Sequence, residues 1–136
     1  MPELPEVETI VQALRPWVEG QRLLRLQAPD RALSRLASQV PLPARVDRLA
    51  RRGKYILFHL SPEEGGKRLL VVHLRMSGRL LWGERPPEGR VRLKLSFPKG
   101  AVYLVDRRRL AQVDLVEKFD RRLGPEPFGD LSWLPE

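Results

Sequence analysis

The chain contains no cysteine and only two histidines, His59 and His73. Within these residues that excludes disulfides and thiolate metal sites, and two imidazoles without an accompanying carboxylate pattern do not make a metal centre. No apolar run approaches the ~20 residues that span a bilayer. No basic-then-apolar leader opens the chain, so the expectation is a cytoplasmic protein with no membrane partner. Internal repeats and low-complexity tracts are also lacking. Acid is in short supply: 17 Asp and Glu face 25 Lys and Arg, a net charge of +8 over 136 residues. Twenty of the 25 cations are arginine, whose guanidinium forks onto phosphate with two parallel hydrogen bonds. A basic, arginine-rich single domain points to a polyanion partner, DNA or RNA first. The competing reading of that charge is a surface of solvated ion pairs of the thermophile type.

The first six residues are Met1-Pro2-Glu3-Leu4-Pro5-Glu6. Methionine before proline is normally removed, which would leave Pro2 with a free secondary amine. An α-amino group has a pKa near ~8, so a useful fraction is neutral at pH 7. A neutral secondary amine can attack a sugar aldehyde carbon to give an iminium ion. Glu3 and Glu6 place candidate acid/base groups beside it. While Met1 stays attached, Pro2 is an amide nitrogen and no nucleophile. The plainer reading is that Pro2 and Pro5 start a helix and the glutamates complement its dipole.

Val7, Ile10, Val11, Leu14 and Val18 recur at helical spacing, so an amphipathic helix is expected from about Pro5. Pro16 should kink or restart it, and Gly20 should end it. Arg22–Gln27 reads as one strand. Asp30–Val40 reads as a short helix capped by Asp30, with Leu33, Leu36, Ala37 and Val40 inward. Val46–Leu49, Tyr55–Leu60, Leu69–Leu74 and Arg79–Trp82 read as further strands. The run Val91–Phe97 alternates throughout, one face core and the other wet, with a hairpin at Lys99-Gly100 into Ala101–Val105. Ala111, Val113 and Leu115 alternate again. The predicted fold class is mainly β with flanking helices: an antiparallel β-sandwich of about eight strands with an N-terminal amphipathic helix.

Four further segments follow the N-terminal Pro-Glu-Leu-Pro-Glu-Val-Glu-Thr. They are Arg51-Arg52-Gly53-Lys54-Tyr55, His73-Leu74-Arg75-Met76-Ser77-Gly78, Asp106-Arg107-Arg108-Arg109-Leu110 and Leu123-Gly124-Pro125-Glu126-Pro127. In this order they make the chain resemble the N-terminal catalytic domain of the formamidopyrimidine-DNA glycosylase (Fpg/Nei) family. The resemblance runs from Pro2 to about Phe128, which sets the domain at 1–128 and leaves 129–136 as a linker or tail.

The resemblance implies base-excision repair by a bifunctional glycosylase and abasic-site lyase. Its partner is double-stranded DNA with a damaged base or abasic site, and the protein is expected to act as a monomer. Pro2 would be the nucleophile and Glu3 would protonate the ribose ring oxygen. Glu6 would hold the hydrogen-bond network, unless it is only a helix N-terminal charge. Lys54 would bind phosphates near the lesion, its plainer reading being a strand-edge lysine. His73 is read as orienting backbone within the DNA-facing segment rather than as an acid or base. Met76 would fill the gap left by a flipped nucleotide, the alternative being core packing. Arg108 would reach the orphaned base and Arg109 the pinched phosphate backbone. The opening octapeptide is closer to the oxidised-purine branch than to the Nei branch, with β,δ-elimination following base removal.

The chain departs from the family pattern in several places. Leu110 stands where an aromatic wedge is usual, and Arg75 where glycine is common. The helix–two-turn–helix region and the four-cysteine zinc finger are expected to be absent, so no cofactor is expected in this chain. Two rivals stay open: a DNA-binding module that kept the fold without catalysis, and a basic RNA- or ribosome-associated β-domain.

Overall fold

Helix α1 (Leu4–Val18) is built on the stripe Val7, Val11, Leu14 and Val18, all buried, with Pro5 in the first turn. Burying each such side chain stabilises by about 1.5–3 kcal/mol. The computed structural model describes residues 4–117. The expectations for Pro2 and Glu3, for the 118–128 end of the domain and for the 129–136 tail lie outside them.

α1 runs through Pro16 as one element, so the restart that Pro16 could have caused does not occur. Its missing N–H deprives only the Gln12 carbonyl. Beyond it Val18 is fully buried and Trp17 stacks on Trp82 at 5.2 Å, so tertiary contacts hold the last turn. Gly20 then turns the chain with φ +77°.

Nine strands follow among the described residues. A five-stranded sheet has the order β1 (Arg22–Leu23), β3 (Ala44–Arg52), β4 (Tyr55–Pro62), β5 (Arg68–His73), β9 (Gln112–Val116). A four-stranded sheet has the order β2 (Arg25–Gln27), β7 (Val91–Phe97), β8 (Gly100–Val105), β6 (Arg79–Gly83). All pairings are antiparallel. The two inner faces and the buried stripe of α1 share one core, including Leu49, Phe58, Leu70, Leu93 and Leu104. The expected sandwich is thus present.

Four local expectations need correction. Arg22–Gln27 is two strands in different sheets, divided at Leu24, whose N–H bonds Ser96 O at 2.8 Å. Leu23 and Leu26 are both buried, and residues three apart cannot face one side of a straight strand. The segment after Asp30 is a 3-10 turn (Arg31–Leu33) followed by α2 (Leu36–Gln39). Asp30 does cap it, accepting from Ala32 N–H at 2.8 Å. Leu33, Leu36 and Val40 are buried, whereas Ala37, a helical step round from Leu36, is exposed. In β7 the register jumps between Val91 and Leu93, and the irregularity puts Arg92 inside at 2% exposure instead of on a wet face.

The helices close the sandwich. α1 packs on β3 and β6, and α2 on β2 and β9, so each spans one strand of each sheet. At the β3 edge, Leu49 N–H donates to Glu19 at 2.8 Å and Leu49 O accepts from Arg15 Nε at 2.9 Å. Those bonds satisfy edge backbone groups that no strand covers there. Among the described residues no helix is long and apolar enough to cross a membrane.

Candidate nucleic-acid interface

Three loops emerge from neighbouring strand ends and are tied to one another by side chains. The first is the two-residue β3–β4 turn, Gly53-Lys54, with Arg52 and Tyr55 paired on either side. Gly53 adopts φ +58°, a region glycine enters without steric cost. Arg51 braces this turn, donating to Gly53 O at 3.0 Å and to Glu8 of α1 at 2.8 Å. The Arg51 hydrogen bond lowers the Glu8 carboxyl pKa. The start of α1 is thereby fixed to the loop that carries Lys54.

The second loop is Leu74–Gly78, between β5 and β6. His73 ends β5, pairs with Tyr55 across the ladder, and meets its ring edge-on at 4.9 Å. Its Nδ1 accepts from Arg75 N–H at 3.0 Å. Burial, helped by the Arg75 and Lys54 charges, pushes His73 down to about 4, so the imidazole is a neutral acceptor at pH 7. Arg75 is left-handed, φ +58°, where glycine would be unstrained. Its guanidinium bonds Gln112 Oε1 on β9 at 2.5 and 3.1 Å. At the loop's base a Cβ on Gly78 would lie 2.6 Å from Leu74 O and 3.0 Å from Ala111 Cβ, so only glycine fits. Met76, at the tip, is 56% exposed.

The third loop is Asp106–Ala111, between β8 and β9. Asp106 is fully buried. One carboxylate oxygen accepts from Ser77 Oγ of the second loop and from Arg108 N–H. The other accepts from Leu110 N–H at 2.8 Å and Ala111 N–H at 2.7 Å. Burial favours the neutral acid, yet these donors together hold the carboxyl below its ordinary value. The side chains of Arg107, Arg108 and Leu110 are left pointing outward from a backbone that Asp106 has fixed.

A second carboxylate grips the same loop from its far side. Asp30 accepts two bonds from Arg109, each 2.9 Å, and one from the buried Arg92 at 2.6 Å. Arg92 also donates to Ala111 O at 2.5 Å. Arg109 first, then Arg92 and the Ala32 N–H, hold Asp30 far below the usual carboxylate range despite its burial.

Comparison with known proteins decides the family. Residues 1–113 match the family described as "Formamidopyrimidine-DNA glycosylase N-terminal domain". The chain belongs to the formamidopyrimidine-DNA glycosylase family. It is 40% identical to the formamidopyrimidine-DNA glycosylase of Moorella thermoacetica over 94% of this chain and 51% of that protein. Against the Dinoroseobacter shibae enzyme it is 38% identical over 96% of this chain and 52% of that one. The chain therefore spans about half the length of the curated relatives it matches. Its fold superposes on Lactococcus lactis Fpg bound non-covalently to DNA containing an abasic site, with a TM-score of 0.73 and 27% identity. That match covers 85% of this chain and 45% of the other.

Placed on this Fpg-family fold, the residues singled out by sequence fall into clear groups. Pro2 and Glu3 precede the described residues. Glu6 lies exposed in the first turn of α1. Lys54, His73, Met76, Arg108 and Leu110 all stand on or beside the three linked loops. Met76 is no core residue, and His73 orients backbone. Arg109, expected at the phosphate backbone, holds Asp30 through Nε and Nη2, while its side chain stays 45% exposed with further N–H donors to spare. Sequence reasoning missed Asp106 as the hub. The signal was there, since aspartate commonly accepts the N–H two residues on. For the Asp30–Arg92 pair there was no comparable signal.

Proposed function

We propose that this chain is the catalytic half of a base-excision DNA glycosylase with abasic-site lyase activity, acting on duplex DNA that carries an oxidised purine or an abasic site. The observation that carries the reading is the state of Met76: a large apolar side chain, more than half exposed, on a loop held on one flank by His73 and Gln112 and on the other by Asp106. A solvent-exposed apolar tip on a rigid base suits insertion between bases, because it replaces lost stacking without needing hydrogen bonds. Leu110, 40% exposed on the neighbouring loop, adds a second apolar tip, weaker than an aromatic one.

In this reading the damaged nucleotide leaves the stack so that C1′ becomes accessible. Arg108 faces the orphaned base, and Lys54 holds phosphate beside the lesion. With Met1 removed, the Pro2 nitrogen lone pair attacks C1′. The glycosidic C1′–N bond breaks, and the base departs with its electron pair and takes up a proton. Glu3 protonates the ring oxygen as the sugar opens to an iminium ion. The iminium acidifies C2′; loss of a C2′ proton expels the 3′ phosphate, and a second elimination expels the 5′ phosphate. Hydrolysis of the iminium returns the Pro2 amine. Glu6, one turn into α1, keeps the hydrogen-bond network around that amine.

Borohydride reduction of the iminium tests the reading. With abasic duplex DNA, protein lacking Met1 should form a covalent adduct, and Pro2→Gly should reduce it sharply. Equal trapping by a form that retains Met1 would remove Pro2 from the mechanism. Binding of damaged duplex without any adduct would favour the non-enzymatic DNA-binding module.

A further inference from the structure

Outside the three loops, the strongest charged feature is a groove at one end of the four-stranded sheet. Two open cavities, of about 270 and 340 Å³, share Arg90 in their walls. The smaller is lined by Ser77, Arg79, Gly89 and Arg107, with Val105 beneath. The larger continues past Val91 to Arg31, Asp30 and Arg109. Topology explains the clustering. Arg79 opens β6, Arg90 immediately precedes β7, and Arg107 lies just past the end of β8, the strand between them. Arg79 and Val91 both pair with Val105. Three adjacent strand ends, each ~4.8 Å from the next, set these arginines across about 10 Å. Successive phosphates of one DNA strand lie about twice as far apart as their ~3.4 Å rise along the helix axis, because the strand winds around it, so that width faces about two phosphates.

The charge in the groove is available. Elsewhere many arginines are ion-paired, as Arg22 is with Glu63 and Arg51 with Glu8. Arg31, Arg79, Arg90 and Arg107 are exposed, and among the described residues their guanidinium groups meet no carboxylate and donate no hydrogen bond. The one acid in the lining, Asp30, is already neutralised by Arg92 and Arg109. Glu84 and Glu88, in the β6–β7 connection, do not line the groove. Its near end lies against Ser77 and Arg107, the sequence neighbours of Met76 and Arg108. The groove is also rigidly joined to the wedge loops, because Asp106 N–H bonds Arg90 O at 3.1 Å.

We propose that Arg79, Arg90 and Arg107, extended by Arg31, form a phosphate track that carries the DNA backbone flanking the gap opened by Met76 and Arg108. This assignment rests on the reading of the chain as a DNA glycosylase domain. None of these four arginines acts on the sugar. Their task is to hold the duplex in place while Met76 enters it, and they act through the phosphates alone, without regard to sequence.

The experiment uses the full chain with a short duplex carrying an abasic-site analogue, titrated at several salt concentrations. Each phosphate contact contributes about 0.9 to the log–log salt slope. The combined variant Arg79→Gln, Arg90→Gln and Arg107→Gln should lower the slope by about 2. Arg25→Gln with Arg48→Gln, which removes exposed arginines outside the groove, should change the slope by less than about half a unit. The triple Arg→Lys variant keeps the charge and should restore most of the slope; it also serves if the glutamine variant fails to fold. An unchanged slope in the glutamine variant, or an equal loss per charge in the control, overturns the track while leaving the glycosylase reading intact. If the parent protein binds structured RNA as tightly as damaged duplex and traps no adduct, it is the underlying reading that fails.

Discussion

Asp30 and Asp106 are both buried carboxylates that grip the loop between β8 and β9, and they do it in opposite ways. Asp106 takes neutral donors: one hydroxyl and three backbone N–H groups, with no cation among its partners. Asp30 takes two guanidinium groups, one buried with it and one reaching in from the surface. Asp106 therefore fixes where the backbone runs and leaves the side chains of Arg108 and Leu110 free to meet a ligand. Asp30 fixes a side chain, committing Nε and Nη2 of Arg109 and leaving the outer edge of its guanidinium exposed. Adjacent arginines of one motif have different jobs because different atoms of each are restrained. In the proposed reading the tip enters a duplex, which needs a rigid base and an open end, and the Asp106 arrangement supplies both.

The comparison breaks most visibly if Asp106 is truncated. Asp106→Ala leaves three N–H groups without their acceptor near the core, each worth about 1–3 kcal/mol when unsatisfied. We expect a loss of about 4 kcal/mol in urea unfolding, together with loss of duplex processing by both wedge loops. A loss under 1 kcal/mol would mean that water replaces the carboxylate and that the hub is not structural. Asp30→Asn should cost less, about 2–4 kcal/mol. It strands the buried Arg92 charge, but Arg92 keeps Ala111 O and the amide keeps one acceptor oxygen. Arg109→Gln, which removes only the exposed partner, should cost clearly less than Asp30→Asn. If Arg109→Gln matches Asp30→Asn in unfolding, the surface ion pair rather than the buried one is what holds the loop.

A third expectation separates His73 from both carboxylates by pH. The folded pKa of His73 lies near 4 and the unfolded value near 6.5. Between those values the unfolded chain binds a proton that the folded chain refuses. Stability is therefore full above about pH 6.5, falls as pH drops toward 4, and levels below it. The steepest slope for one proton is about 1.4 kcal/mol per pH unit. Asp30 and Asp106, whose values are lowered instead from 3.8, weaken the fold only below about pH 4. Burial lowers His59 as well, so it adds to the same window with the same sign. His73→Gln should flatten the pH 4–6.5 limb of the urea midpoint in part and leave the acid limb untouched. A limb unchanged by His73→Gln would remove His73 as its source.

The sheets were largely legible because period-2 patterning survives wherever one face is buried, as in Leu93–Phe97 and Val113–Leu115, while Tyr55–Leu60 was legible as a short apolar run and is buried on both faces. The failures lie where three-dimensional context overrides local pattern. Arg92 occupies a wet position in the strand pattern, and only the register jump beside Leu93 brings it to Asp30, 62 residues away. Pro16 is tolerated in α1 because Trp17 finds Trp82, a contact absent from local sequence. The corner at Leu24 was written in the spacing of Leu23 and Leu26, which no straight strand accommodates. The wedge loops came from motif order, and their exposure agrees with it. What motif order did not reveal is the wiring beneath them, because Asp106 to Ser77 and Arg75 to Gln112 are pairings set by neighbouring strands rather than by neighbours in sequence.

The smallest expected change in stability belongs to Met76, and it carries the sharpest test of function. A buried methionine truncated to alanine costs about 2–5 kcal/mol. With 56% of its surface exposed, Met76 has little packing to lose, and Met76→Ala should shift unfolding by no more than about 0.5 kcal/mol. The lost group would have stood in for base stacking worth about 1–3 kcal/mol, a factor of roughly 5 to 150 in productive extrusion. An intact damaged base must leave a better-stacked duplex than an abasic sugar does, so its excision should slow more than cleavage at a preformed abasic site. Leu110→Ala, on the loop whose backbone Asp106 also holds, should show the same split with a smaller amplitude. Equal slowing of both substrates would place Met76 in general DNA binding rather than in the gap. Marked destabilisation with normal processing per folded molecule would place it in the core, and the contrast between a fixed base and a free tip would then not hold for this loop.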